Sequence, residues 1–198
     1  MSCGYYMNME IIALDIAKEH ISKMEDNVFD DECKEFLDLK KLENNIKNGF
    51  IAITQFKVFI ESLLNTIINL KGDLSCLDIE NIFNKMKYVC SIYDKDFSFI
   101  EKNKCLKTFK KMNRLRNNMI HYKNSFIYDG TAIYDFEIGK VSVKKYFTKF
   151  NFEKLFNQVI ELGDLIAKTL GLIVRNDISI FECDGKDGIT GYISVCSE

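Results

Sequence analysis

The chain has 198 residues, 47% of them apolar and 28% charged, and a formal net charge of −2. These values describe one globular domain with appendages, and they exclude a fibrous, low-complexity or strongly polyionic chain. No run of 18 residues is free of charge. The most apolar segment, Val58 to Leu70, is interrupted by Glu61, Asn65 and Asn69, which predicts a buried helix rather than a membrane span. The opening Met-Ser-Cys-Gly-Tyr-Tyr has neither the basic start nor the apolar core of a secretory signal, so a cytoplasmic protein with no membrane partner is expected.

Seven cysteines, at positions 3, 33, 76, 90, 105, 183 and 196, form no CxxC pair and are odd in number. They read as reduced thiols used as small apolar side chains. With only two histidines and no CxxC, no metal site is expected. Neither a Walker A nor a GxGxxG pattern occurs, and no cofactor is expected.

In chain order, the spacing of Ile11, Ile12, Leu14, Ile16, Ala17 and Ile21 predicts a helix from about residue 8 to 26. Asp30, Asp31 and Glu32 suit the N-terminus of a second helix, predicted to end near Gly49. A third is predicted from about Phe50 to Leu70, ending at Gly72; as the most apolar helix it belongs in the core. Ser75 followed by Asp78 predicts a fourth helix reaching about Tyr93. Ser98 followed by Glu101 predicts a fifth that runs to about His121. Ile100, Leu106, Phe109, Met112, Leu115 and Met119 supply its apolar face.

The period then changes. From about 126 to 147 residues alternate, with turns at Asp129-Gly130 and Gly139-Lys140, predicting short strands or a hairpin. Helix returns from about Asn151 to Leu172. A C-terminal β segment is predicted at about 178–196, turning around Asp184 to Gly188, which lacks the ligand series of a calcium loop. The expectation is a mainly α fold: one helical domain over residues 1–198 with small β-hairpins late in the chain.

Charge is unevenly spread. Residues 102–123 hold eight of the 27 basic residues (Lys102, Lys104, Lys107, Lys110, Lys111, Arg114, Arg116 and Lys123) and no acidic one. The remaining chain carries 19 basic against 29 acidic residues, a balance of −10. A basic run is commonly a solvated helix face. This one coincides with Asn113-Arg-Leu-Arg-Asn-Asn-Met-Ile-His-Tyr-Lys123, which adds a histidine and three asparagines. Metal-free RNA cleavage needs a group that exchanges protons near neutral pH, which histidine supplies. It also needs a fixed cation for the charge developing on phosphate oxygens, which arginine supplies. The basic run then becomes a phosphate-facing surface, with Arg114, Lys110, Lys111, Lys123 and Tyr122 as RNA contacts, Tyr122 either stacking on a base or packing.

Helix geometry constrains the pairing. At roughly 100° per residue, Arg116 and His121 lie about 140° apart, so they meet only at a helix end, at a bend or across a dimer. Asn117, four residues before His121, shares its face and is placed to hold the imidazole. Arg114, seven residues before, also shares that face and competes with Arg116. His20, in an amphipathic acidic helix without a nearby arginine, reads as a surface or core residue.

Arg116-Asn117-Asn118-Met119-Ile120-His121 resembles the signature of the HEPN superfamily, helical domains whose ribonuclease members carry arginine, four to six residues, then histidine, often with a polar residue after the arginine. The resemblance favours Arg116, followed by Asn117, over Arg114, followed by Leu115. It implies an antiparallel helical bundle and a metal-independent endoribonuclease with Arg116, His121 and Asn117 as its catalytic group. It further implies a homodimer with a shared cleft, an RNA substrate, and an antitoxin or sensor partner of the kind found in toxin–antitoxin and abortive-infection systems. One toxin group of the family has a modifiable tyrosine two residues after the histidine; here that position is Lys123. Family members also carry a polar residue in an earlier core helix, for which Glu61 is the candidate, paired with Arg116 or Arg114 or else facing solvent. Two alternatives stand beside the enzyme: a non-catalytic HEPN-type adaptor that dimerises or binds a partner or nucleotide, and an unrelated helical regulatory protein.

Overall fold

An asparagine-rich stretch at the start of one long helix organises the fold. The computed structural model describes residues 9–29, 37–71, 79, 81–121, 124–129, 132–175, 178–183, 186–191 and 194–197. It is mainly helical with small antiparallel sheets late in the chain. The expected helix start at Asp30 to Glu32, the stop at Gly72 and the cap at Ser75 and Asp78 lie outside the described residues.

Helix α2 spans Leu39–Leu70 and is capped by Asp38, whose carboxylate accepts from the N–H groups of Lys40 and Lys41 at 2.9 and 3.1 Å. It buries Ala52, Ile53, Phe56, Phe59, Ile60, Leu63, Leu64, Ile67 and Ile68, the centre of the core. By length and composition it could cross a membrane, and half of its most apolar stretch is buried against the rest of the fold. The expected break at Gly49 does not occur. A Cβ there would lie 2.7 to 2.9 Å from the rings of Phe147 and Phe152, so the glycine admits two aromatic side chains instead of ending a helix.

Helix α1, Met9–Ser22, buries Ala13, Ala17 and Ile21. Thr66 Oγ1 donates to Glu10 at 2.6 Å, and His20 Nδ1 meets Asn48 Oδ1 at 2.7 Å, so α1 runs antiparallel to α2. The link between them is tied down by asparagines of α2. Asn44 donates to the Lys23 carbonyl at 2.7 Å. Asn45, fully buried, accepts from the Glu25 N–H at 2.9 Å and donates to the carbonyls of Glu25 and Phe147 at 2.7 and 2.8 Å.

Helix α3, Ile82–Ile92, begins at the Asn81 cap. A single turn, α4 (Ser98–Glu101), follows, and then α5 (Lys104–Ile120). One continuous helix from Ser98 was expected. Instead the Ser98 hydroxyl donates to Asp96 at 2.5 Å, and Asn103 starts a new helix by accepting from the Cys105 N–H at 2.8 Å. Strands β1 (Asn124–Asp129), β2 (Ala132–Ile138) and β3 (Val141–Ser142) form an antiparallel sheet, with Gly139 and Lys140 at positive φ in the last turn. The expected β character stops there: Val143–Tyr146 is a short helix, α6, because Ser142 and Asp135 supply oxygen acceptors for its first N–H groups.

Helix α7, Lys149–Thr169, starts against the α1–α2 link, where Asp26 accepts from the Phe150 N–H at 2.7 Å. Phe152 beside Gly49, Phe156 beside Phe56 and Gly163 beside Phe59 and Leu63 set α7 parallel to α2. Gly171, at φ +72°, ends it. Beyond lie β4 (Leu172–Arg175) paired with β7 (Ser194–Ser197), and β5 (Ile178–Cys183) paired with β6 (Lys186–Gly191).

Asn45→Ala would strip partners from the buried carbonyl of Phe147 and from the part-buried N–H and carbonyl of Glu25, and should lower unfolding stability by about 2 kcal/mol. Chemical denaturation of the variant checks this, and a loss under about 1 kcal/mol would mean water replaces the amide.

Candidate functional site

Helix α5 has two distinct sides. Leu106, Phe109, Met112 and Leu115 face the core and are buried. Around the opposite side, at spacings of four and three residues, stand Lys107, Lys111, Arg114, Asn118 and His121 within about 80° of arc. All but the half-buried Asn118 are exposed.

Arg116 belongs to the first side. It lies seven residues after Phe109 and four after Met112, so it rises along the line of the apolar face and is half-buried. Its Nη1 donates to Asn117 Oδ1 at 3.3 Å, and its Nε is buried without a hydrogen-bond partner among the described residues. Asn113 Oδ1, one turn earlier, is likewise buried without a partner. No described carboxylate forms a salt bridge with Arg116 or Arg114. An orphan donor and an orphan acceptor thus sit on neighbouring turns of one helix.

His121 belongs to the second side. It is the C-terminal cap of α5, with its N–H bonded to the Asn117 carbonyl at 3.0 Å, and its side chain is exposed. Its imidazole has no hydrogen-bond partner among the described residues. The helix is continuous to Ile120, and at about 100° per residue Arg116 and His121 lie on different sides of it within one chain. Asn117 was expected to hold the imidazole; its side chain instead faces Arg116 and only its carbonyl fastens His121.

Lys110 is turned toward α3, its ammonium 5.6 Å from the Phe83 ring centroid. Tyr122 and Lys123 lie outside the described residues. The pairing expected of Glu61 with Arg116 or Arg114 is not found. Glu61, 34% exposed, sits 3.8 Å from Lys85 and 3.9 Å from Lys57. Lys85 approaches from α3, with 2% of its side chain exposed, and donates to Asn65 at 2.9 Å. A buried cation from a neighbouring helix therefore takes the carboxylate first.

The structure adds two residues that sequence reasoning passed over. Asn118 lies flat on the Gly139 backbone: a Cβ at Gly139 would fall on its amide. This contact docks the β2–β3 turn onto the exposed side of α5, and so brings exposed Lys140 to the end of the basic row. The positive-φ turn was readable in Gly139-Lys140, but its target was not.

No protein family, characterised protein or solved structure matches the chain.

Because Arg116 stands on the apolar line of α5 without an ionic partner, Arg116→Met should keep or raise stability, by up to about 2 kcal/mol. Thermal unfolding beside the wild type checks this; a loss above about 1 kcal/mol would give the guanidinium a structural role.

Proposed function

We propose that the protein is a HEPN-type helical bundle acting as a metal-independent endoribonuclease on single-stranded RNA. The reading places it in the cytoplasm, in antiviral defence or a toxin–antitoxin system. The observation that carries it is Arg116: among the described residues, a half-buried guanidinium whose Nε has no hydrogen-bond partner and which meets no carboxylate, on the same short segment as an exposed histidine with no partner there either. Structural arginines are normally consumed by ion pairs or carbonyls. This one keeps donors free for an anion.

In the proposed reaction the ribose 2′-oxygen attacks the adjacent phosphorus as a base takes its proton. The bond from phosphorus to the 5′-oxygen breaks, and that oxygen is protonated on leaving. His121 exchanges one of these protons, and Arg116 stabilises the negative charge on the non-bridging oxygens. Lys107, Lys111, Arg114 and Lys140 line the approach of the phosphate chain. The separation of about 140° around α5 supports a site completed by a second copy, with His121 of one chain facing Arg116 of the other. Ile120, 42% exposed between them in sequence, suits burial at such a contact.

A second reading, a non-catalytic adaptor, is favoured by the Arg116–Asn117 hydrogen bond, which occupies part of the guanidinium. The two readings separate in one assay. Purified protein with EDTA should cut single-stranded RNA to 2′,3′-cyclic phosphate ends, and both His121→Ala and Arg116→Ala should lower the rate at least a hundredfold. Activity retained in both variants would sink the ribonuclease reading, whereas an inactive wild type whose His121→Ala form no longer dimerises supports the adaptor. Arg114→Ala should weaken RNA binding and reduce its salt slope by about 1, with less effect on turnover; the reverse would exchange the roles of Arg114 and Arg116.

A further inference from the structure

At the other end of α5 its first turn and one side of α7 enclose an open groove of about 760 Å³. Its lining includes Lys104, Cys105, Phe150, Asn157, Gln158 and Glu161. We propose that this groove is a nucleobase subsite for the single-stranded RNA of the reading above, on which this inference rests.

Three observations point to a flat, neutral, hydrogen-bonding ligand. Phe150 leaves 65% of its surface exposed at the rim, a ring face free for stacking. The side-chain amides of Asn157 and Gln158 have no hydrogen-bond partner among the described residues. Each offers both a donor and an acceptor, as the edge of a base does. Finally, two lysines and two glutamates in the lining cancel, so the groove has no net attraction for a phosphate and tolerates an uncharged group. Cys105 does not disturb this balance. Burial and its hydrogen bond to Glu161, at 3.2 Å, push the thiol up to about 11, so at neutral pH it remains protonated.

The groove is continuous with the phosphate path. Lys104 lies both in its lining and on the exposed side of α5, within about 60° of Lys107 and 20° of Lys111. From Cys105 to His121 the helix rises roughly 24 Å. A strand whose base stacks on Phe150 can therefore lay its phosphates along Lys104, Lys107, Lys111 and Arg114 toward His121. The subsite would hold a base several nucleotides from the cut.

The test uses the full chain. Guanosine, adenosine, cytidine and uridine 5′-monophosphates are titrated separately, with the side-chain amide signals of Asn157 and Gln158 followed by NMR. Affinity for a single-stranded RNA is measured in a His121→Ala background, alone and combined with Phe150→Ala or Phe150→Tyr. Shifts of both amides with at least one nucleotide are expected, with RNA binding about tenfold weaker for Phe150→Ala and restored by Phe150→Tyr. Unshifted amides, or an unchanged RNA affinity for Phe150→Ala, overturn the subsite even if RNA is cut. If the groove takes nucleotides and Phe150→Ala weakens RNA binding while the wild type cuts nothing, the subsite stands and the ribonuclease reading falls.

Discussion

The amide of Asn45 is the joint on which the helices are assembled. One fully buried side chain satisfies both backbone groups of Glu25 and the carbonyl of Phe147, and so ties the α1–α2 link and the approach to α7 onto one turn of α2. One turn later Gly49 leaves room for Phe147 and Phe152. Asp26, in the same link, then accepts from the first turn of α7. Fixing the start of α7 fixes its parallel course along α2, and that course makes one wall of the groove at the head of α5. Polar groups buried at such a joint specify which surfaces meet, because any other arrangement leaves them unpaired.

What could be read in advance follows from the range of each cause. The apolar period of residues 106–119 is a local pattern, and it placed the core face of α5 correctly. Gly49 misled because a glycine that ends a helix and one that admits an aromatic ring look the same in sequence. Only Phe147 and Phe152, about a hundred residues away, tell them apart. Val143–Tyr146 is a nearer case, its acceptor Asp135 coming from β2, whereas the hydroxyl of Ser98 is taken by Asp96 only two residues before it. Local spacing carries the period of an element, and side-chain partners, some adjacent and some distant in sequence, decide its ends.

The partner of Glu61 shows the same limit within the candidate site. Glu61 was expected either to pair with Arg116 or Arg114 or to face solvent; it is partly exposed and its carboxylate meets Lys85 and Lys57 instead. Lys85 takes it because α3 packs against α2 at that level, a fact no spacing within α2 could contain. The groove at the head of α5 was similarly out of reach, since residues 103–105 and 150–161 carry no shared motif. Asn118 and Gly139 lie between these cases: each looked like a turn or cap residue, and the structure makes them one contact.

Lys85 and Arg116 together sharpen the reading of the site. Both are cations on core-facing sides of helices. Lys85 is explained by its surroundings, with Asn65 at hydrogen-bond distance and Glu61 close by. Arg116 is not: a neighbouring amide takes one Nη1 contact at 3.3 Å, and the buried Nε has no partner among the described residues. An unsatisfied buried donor costs about 1–3 kcal/mol, and an apolar side chain of similar length would avoid that cost. Asn113 adds an acceptor without a partner one turn away, so among the described residues two buried polar atoms on the same stretch of helix are unsatisfied. Where local structure breaks the rules of packing without compensation, a bound group is the physical way to complete it. The basic row ending at His121 lies around the other side of the same helix.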